Sequence, residues 1–170
     1  MILIVAGVSG SGKTTVGALV AGRLHWRFAD ADTFHPAANI AKMRAGIPLT
    51  DADRRPWLQA ITAWMDERIA HGEPAVVTCS ALKRAYREAL LGGRPQVRMV
   101  FLSVDPDQAA RRLAARHGHF FPGQLLGSQF AALEPPQPGE AGVTVLASGA
   151  DPTHVAAAII AIVRPGPGAS

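Results

Sequence analysis

The chain has a single cysteine, Cys79, among its 170 residues, so it cannot form an internal disulfide. Cys79 ends the apolar run at 75–79, and free cysteine is among the most buried residue types. We therefore expect a structural thiol rather than a nucleophile. The chain also lacks an apolar stretch long enough to cross a membrane, and its first apolar run is too short for a signal peptide. These absences predict a cytoplasmic protein with no membrane partner.

Blocks of like charge and internal repeats are absent as well. The chain has 17 Lys and Arg against 13 Asp and Glu, a net charge of +4. The only adjacent basic pairs are Arg54-Arg55, Lys83-Arg84 and Arg111-Arg112. This scattered surplus fits small anionic ligands better than nucleic acid, so we expect no nucleic-acid partner. With 48% hydrophobic and 18% charged residues, the composition excludes a disordered chain.

The chain opens with an apolar run, Ile2–Ala6, and a glycine-rich loop follows directly. Residues 7–14 read Gly-Val-Ser-Gly-Ser-Gly-Lys-Thr, which matches the P-loop pattern. In such a loop the backbone N–H groups hold phosphate, the lysine reaches the β- and γ-phosphates, and the threonine hydroxyl ligates Mg²⁺. We predict that ATP is bound by Gly7, Val8, Ser9, Gly10, Ser11, Gly12, Lys13, Thr14 and Thr15.

Strand-like and helix-like segments alternate along the rest of the chain. Strands are predicted at 2–6, 27–29, 75–79, 97–104 and 143–147, and helices at 14–24, 56–71, 84–91, 106–117 and 152–163. Asp105-Pro106 and Asp151-Pro152 each suit a helix start, with Asp as N-cap and Pro at the first helical position. This alternation predicts an α/β P-loop NTPase sandwich of three layers, with a five-stranded parallel sheet, helices on both faces and a lid.

Two regions interrupt the alternation, one after the second strand and one before the fifth. Ligands of open α/β sheets gather at the carboxyl ends of the strands, where both regions begin. We predict one kinase domain over 1–164, with a substrate-binding insertion at about 33–56 and a lid at about 117–126. The composition of the first region predicts a capped helix, a turn and a second helix start. Residues 165–170 are expected to form a flexible tail.

Polar residues follow the second and third predicted strands. Asp30 and Asp32 lie on the turn after the second strand, where one carboxylate can orient an acceptor hydroxyl and the other can hold Mg²⁺. A helix cap or a turn is the alternative interpretation of these aspartates. Ser80, Lys83 and Arg84 follow the third strand and either bind a polyol carboxylate or form a solvated helix start. In the first insertion, we expect Trp57 in the core and Arg54 in an ion pair with Asp51 or Asp53.

Other nucleotide-binding classes lack support in the sequence. A GTPase switch needs Asn-Lys-x-Asp to read guanine, and the chain has no such motif. A nucleic-acid motor needs an apolar strand that ends in Asp-Glu, whereas Asp105 precedes Pro106 and suits a helix cap. A kinase for another small acceptor, such as shikimate or adenylylsulfate, stays open as the alternative within kinases.

Taken in order, the motifs resemble those of the thermoresistant-type gluconokinases, P-loop small-molecule kinases related to shikimate kinase. The matching motifs are Gly-Val-Ser-Gly-Ser-Gly-Lys at 7–13, Asp-x-Asp-x-x-His-Pro at 30–36, Asn-Ile-x-Lys-Met at 39–43, Gly-x-Pro-Leu at 46–49, Asp-Arg-x-Pro-Trp-Leu at 53–58, Cys-Ser-Ala-Leu-Lys at 79–83, Tyr-Arg at 86–87, Arg-x-Gly-His-Phe-Phe at 116–121 and Ser-Gln-Phe at 128–130. Ala31 stands where the family usually has glycine. The resemblance implies ATP-dependent phosphorylation of D-gluconate to 6-phosphogluconate, which feeds the pentose phosphate pathway.

The resemblance also implies roles for individual residues. Lys13, Asp32 and Arg116 would be catalytic, with Asp32 acting on the acceptor hydroxyl, while Thr14 and Asp30 would lie on the Mg²⁺ side. Arg112 and Arg116 resemble lid residues that meet adenine and the phosphates, respectively. Substrate contacts are implied for Asp32, His35, Arg44, Ser80, Lys83, Arg84 and His119. His119 has no second His or Cys at ligand spacing, so we do not expect it to bind metal. A homodimer is implied by analogy alone.

Overall fold

The computed structural model describes residues 1–115, 123–149 and 151–164. Its strands are β1 (Ile2–Ala6), β2 (Arg27–Asp30), β3 (Ala75–Cys79), β4 (Val97–Ser103) and β5 (Val143–Ala147). Its helices are α1 (Lys13–Leu24), α2 (Ala37–Arg44), α3 (Asp51–Ala70), α4 (Arg84–Leu91), α5 (Pro106–Ala114), α6 (Gly123–Ala132) and α7 (Pro152–Val163), and a 3₁₀ turn spans Ala31–Phe34. Among the described helices, none is long and apolar enough to cross a membrane.

The five strands form one parallel sheet in the order β2-β3-β1-β4-β5. β1 is the central strand, and its last residue, Ala6, lies level with Cys79 and Phe101 of its two neighbours. The polar segments that follow β1, β2 and β3 therefore meet at one edge of the sheet. This arrangement confirms the predicted five-stranded parallel sheet.

Helices cover both faces of the sheet. Successive side chains of β1 point to opposite faces, so each face carries apolar residues that a helix can bury. Ile2 and Ile4 pack with Trp57, Ile61 and Met65 of α3 in one core cluster. Leu3 and Val5 pack on the opposite face with residues of α1 and α7, among them Val16, Val20 and Ile159. These two clusters confirm the three-layer sandwich.

The N-terminus of α3 differs from the prediction in position. The helix begins at Asp51 rather than at Pro56, so Pro56 lies inside it. A reciprocal capping box explains the early start, since the Thr50 hydroxyl accepts a hydrogen bond from the Asp53 N–H and the Asp53 carboxylate accepts one from the Thr50 N–H. The predicted N-caps Asp105 and Asp151 are confirmed. Of the predicted lid at about 117–126, residues 117–122 lie outside the described residues, and 123–126 form the first turn of α6. The tail at 165–170 also lies outside the described residues.

Candidate active site

The P-loop curls between β1 and α1 because two of its glycines adopt left-handed backbone angles. Gly12 precedes the first residue of α1 with a φ of 88°. Gly10 has a φ of 80°, and a Cβ there would lie 2.5 Å from the carbonyl oxygen of Ala109. A side chain at either position would therefore be strained. Lys13 follows, with its Nζ 3.5 Å from the carbonyl oxygen of Val8.

The predicted metal-side residues meet beside the P-loop. The hydroxyl of Thr14 donates a hydrogen bond of 3.2 Å to Asp30 at the end of β2. The other carboxylate oxygen of Asp30 accepts a 3.1 Å bond from the backbone N–H of Asp32. Both oxygens of Asp30 are thus engaged, and one of them lies next to the hydroxyl that follows the P-loop lysine. Asp30 also caps the 3₁₀ turn, as the alternative interpretation predicted, and its role beside Mg²⁺ stays a prediction.

A cavity of about 100 Å³ lies beside Lys13, where the sheet edge meets α2 and α3. Its lining includes five residues that the sequence singled out, namely Ser9, Lys13, Asp32, His35 and Ser80. These residues follow β1, β2 and β3. The carboxyl ends of these strands lie at the same edge of the sheet, so the residues meet there, as predicted. The wall of the cavity thus includes both the carboxylate of Asp32 and the P-loop lysine, Lys13.

Three predicted substrate contacts, Arg44, Lys83 and Arg84, lie away from the cavity. The Nζ of Lys83 lies 2.7 Å and 2.9 Å from the two carboxylate oxygens of Asp51. Arg84 pairs with Glu88 on the surface at 2.8 Å, and Arg44 is exposed near the end of α2. Among the described residues that line the cavity, Arg44, Lys83 and Arg84 do not occur.

Arg54 lines the cavity, and sequence reasoning assigned it only an ion pair with Asp51 or Asp53. Those carboxylates are taken by Lys83 and by Lys42, so the structure contradicts that expectation. Arg54 instead donates a 2.6 Å hydrogen bond to the carbonyl oxygen of Leu49, and its guanidinium lies 5.8 Å from the centre of the Tyr86 ring.

Trp57 is buried, as predicted, but it also forms part of the cavity wall. Its indole N–H donates a 2.7 Å bond to the carbonyl oxygen of Ala31, which fixes the ring. The imidazole of His35 stacks on it, with the ring centres 4.5 Å apart and the planes 8° from parallel. Burial lowers the pKa of His35 below its ordinary value of 6.5, against the opposing charge of Asp32. His35 therefore favours its neutral form.

Gln129 of α6 is a further residue that sequence reasoning did not assign. Its side-chain oxygen accepts a 2.7 Å hydrogen bond from the backbone N–H of Ser9, and Gln129 lines the same cavity. The signal was present, since Ser-Gln-Phe at 128–130 is one of the motifs shared with the family. The bond connects α6 to the P-loop.

A second cavity of about 260 Å³ lies on the other side of the P-loop, against Gly10, Gly12 and Thr15. Arg112 of α5 lines it and donates hydrogen bonds to the carbonyl oxygens of Ser148 and Gly149 at 3.2 Å and 2.9 Å. The predicted adenine contact thus lies beside the P-loop, held by the segment that follows β5. Arg116 and His119 lie outside the described residues.

Cys79 is 1% exposed, and burial raises the pKa of its thiol to about 12. Thiolate is the nucleophilic form of cysteine, so this residue is structural, as the sequence predicted.

Comparisons with known proteins identify the family of the chain. The sequence profile of the AAA domain family matches residues 2–136. The gluconokinase of Gluconobacter oxydans (strain 621H) is 49% identical over 143 residues, which cover 84% of this chain and 80% of that protein. The thermoresistant gluconokinase of Escherichia coli (strain K12) is 41% identical over 165 residues, which cover 97% and 94%.

Solved structures agree with the fold. A sugar kinase from Janibacter sp. HTCC2649 superposes with a TM-score of 0.88 at 43% identity, over 95% of this chain and 93% of that one. A shikimate kinase from Bacteroides thetaiotaomicron, at 20% identity and a TM-score of 0.64, shares the fold. The resemblance drawn from the sequence is therefore confirmed, and the chain belongs to the gluconokinase family of P-loop kinases.

Proposed function

We propose that this chain is an ATP-dependent gluconokinase, which transfers the γ-phosphoryl group of ATP to D-gluconate and forms 6-phospho-D-gluconate. The observation that carries the proposal is the cavity in which Asp32 and the P-loop lysine, Lys13, lie together, within a chain of the gluconokinase family.

In the proposed reaction, Asp32 orients the acceptor hydroxyl and takes its proton. The hydroxyl oxygen forms a bond to the γ-phosphorus, and the bond between that phosphorus and the bridging oxygen of ADP breaks. Lys13 stabilises the charge on the transferred group, and the P-loop N–H groups hold the phosphates that stay on ADP. Positioning and electrostatics supply most of the catalysis in this chemistry.

The residues beside the P-loop fit a magnesium ion. Mg²⁺ is commonly held by one or two protein oxygens together with substrate phosphates and water. The Thr14 hydroxyl and the Asp30 carboxylate are such oxygens, 3.2 Å apart. No group of three or more His, Cys, Asp and Glu side chains among the described residues is arranged to hold a metal without phosphate. A bound Mg²⁺ would neutralise charge on the β- and γ-phosphates.

The substrate carboxylate needs a cation at some distance from the reacting hydroxyl. Lys83 and Arg84 are paired with acids, whereas Arg54 lines the cavity and, among the described residues, has no carboxylate within ion-pair distance. We therefore assign the gluconate carboxylate to Arg54 and the reacting hydroxyl to Asp32. Adenine is assigned to the cavity beside Arg112. The lid roles of Arg116 and His119 and the homodimer stay predictions, the last of them open to sedimentation analysis.

An ADP-release assay with a panel of acceptors tests the function. Purified protein is supplied with ATP, Mg²⁺ and, in turn, gluconate, other aldonates, shikimate, adenylylsulfate and nucleoside monophosphates. We expect turnover with gluconate and a loss on the order of 10²-fold or more in the folded Lys13→Ala variant. Faster turnover with shikimate or a nucleotide would overturn the gluconate assignment, and unchanged turnover in the variant would overturn the P-loop assignment.

A further inference from the structure

Asn39 lies on the first turn of α2, in contact with His35 of the cavity wall, and is 3% exposed. Its side-chain nitrogen, Nδ2, donates a 2.8 Å hydrogen bond to the backbone carbonyl oxygen of Asp53 in α3. A carbonyl oxygen can only accept, so this bond determines which end of the amide is nitrogen. The orientation of the Asn39 amide is therefore set by the backbone.

The same nitrogen also lies 3.3 Å from Nδ1 of His35. An amide nitrogen carries two hydrogens and no available lone pair, so it acts as a donor to His35 as well. Nδ1 of His35 must then accept, which leaves the ring proton on Nε2. A proton on Nδ1 would place two N–H groups head to head in a partly buried contact.

The surroundings of the His35 ring act in the same direction. Trp57 stacks on one face of the ring and is itself held by the carbonyl oxygen of Ala31. The charged groups that face the ring are Asp32 from the 3₁₀ turn, Arg54 from α3 and Lys13 from the P-loop side of the cavity. Asp32 favours a protonated ring, whereas burial and the charge of Arg54 oppose it.

We propose that Asn39 is a positioning residue that holds His35 as the neutral Nε2–H tautomer, so that His35 donates a hydrogen bond to a hydroxyl of the polyol acceptor beside Asp32. The inference rests on the proposed function for its substrate. Asp32 can only accept when ionised, and His35 in this tautomer can only donate from Nε2. A hydroxyl that bridges the two must accept from His35 and donate to Asp32, which fixes the direction of its O–H bond.

Nitrogen NMR of the ligand-free protein tests the tautomer without any assay of activity. The protein is labelled with ¹⁵N-histidine, and the His35 signals are assigned by their loss in a His35→Gln variant. Near pH 7 we expect a protonated Nε2 and a bare Nδ1. In Asn39→Asp, whose carboxylate only accepts, Nδ1 should become protonated. A wild-type ring protonated at Nδ1, or an Asn39→Asp ring with the wild-type signals, would overturn the proposal.

Lys42→Met is the matched control for this experiment. Lys42 also holds Asp53, at 2.7 Å and 2.9 Å, but its charge does not contact His35. The variant should loosen the same junction between α2 and α3 and leave the His35 signals as in wild type. A tautomer change in Lys42→Met would mean that general packing, rather than Asn39, sets the proton position.

Kinetics with a double-mutant cycle separate positioning from a purely structural role. Asn39→Ala should raise the KM for gluconate about tenfold while leaving the KM for ATP unchanged. In the His35→Gln background, whose amide keeps a donor without needing a tautomer, the same change should have little further effect. Equal losses in both backgrounds would overturn the proposal. A wild-type protein with the expected NMR signals but no turnover of gluconate would contradict the proposed function alone.

Discussion

Asp30 and Asp32 are two residues apart, yet their carboxylates have different surroundings. Both oxygens of Asp30 are engaged, one by the Thr14 hydroxyl and one by the Asp32 N–H, whereas the Asp32 carboxylate faces the cavity that holds Lys13. The 3₁₀ turn that starts at Ala31 separates the two carboxylates, so that Asp30 contacts Thr14 beside the P-loop and Asp32 lines the cavity.

Asp32→Asn should lower kcat by about 10²-fold or more and leave ATP affinity near wild type. The amide keeps the shape of the side chain but cannot take the proton of the acceptor hydroxyl. Steady-state kinetics give kcat, and calorimetric titration gives the affinity for ATP. If ATP affinity collapses while kcat stays near wild type, the roles of Asp30 and Asp32 must be exchanged.

Arg54→Met should raise the KM for gluconate by about ten- to a hundredfold, the range expected for one charged hydrogen bond, with little change in the KM for ATP. The neighbouring Arg55 is exposed, so Arg55→Met removes the same charge without touching the cavity and serves as the matched control. If the two variants have similar KM values for gluconate, Arg54 does not bind the gluconate carboxylate, and Lys83 or Arg84 becomes the candidate.

Cys79 should resist alkylation in the folded protein. Its pKa is raised to about 12 from 9.0, so near pH 8 the native thiol is protonated as well as buried. A raised acid pKa stabilises the fold below the unfolded pKa, and this stabilisation disappears as the pH rises from about 9 towards 12. Iodoacetamide labelling followed by mass spectrometry should be slow in buffer and fast in urea. Rapid labelling of the native protein would contradict the buried thiol.

At the scale of elements, Arg87 connects α4 to the segment between α6 and β5. Its guanidinium forms a two-point ion pair with Glu140 at 2.6 Å and 3.0 Å, and the two side chains are 1% and 7% exposed. It also donates to the carbonyl oxygens of Leu82 and Glu134 at 3.1 Å and 2.9 Å. One side chain thus joins the turn after β3 to the chain that leaves α6, the helix that contacts the P-loop.

Arg87→Met should lower the free energy of unfolding by about 3–5 kcal/mol, since it leaves the Glu140 carboxylate buried without a partner. Urea denaturation followed by circular dichroism measures the change. Arg84→Met is the control, because Arg84 and Glu88 are both more than half exposed and such pairs contribute little. A loss of less than about 1 kcal/mol in Arg87→Met would show that the pair is solvated in solution.

The sequence predicts the elements more completely than it predicts the cavity. Strand and helix periodicity is a local property, and β1, β3, β5, α4 and α7 have the predicted bounds. The predicted start of α3 at Pro56 was wrong, because the Thr50–Asp53 capping box begins the helix at Asp51. The P-loop and Asp32 were predictable, since each directly follows a strand at the carboxyl edge.

The sequence did not predict that Arg54, Trp57 and Gln129 line the cavity. The tertiary packing of α2, α3 and α6 decides which face of each helix meets the cavity, and no local pattern encodes that packing. Lys83 shows the opposite error. The sequence predicts it as a substrate contact at the carboxyl edge of the sheet, but it forms an ion pair with Asp51. Asp51 and Lys83 are 32 residues apart, so no local pattern reveals the pair.

At the scale of the whole molecule, the order of the strands has a consequence for synthesis. β1 is synthesised before the other four strands of the described sheet, and its neighbours in that sheet are β3 and β4. At a synthesis rate of about 5–20 residues per second, roughly 5–20 s separate the addition of Ala6 from the addition of Ser103, the last residue of β4. Throughout that interval β1 lacks at least one of the two strands that it pairs with in the folded protein. A chain stalled there has an incomplete sheet beside the P-loop, so we expect nucleotide to stabilise it less than the finished protein.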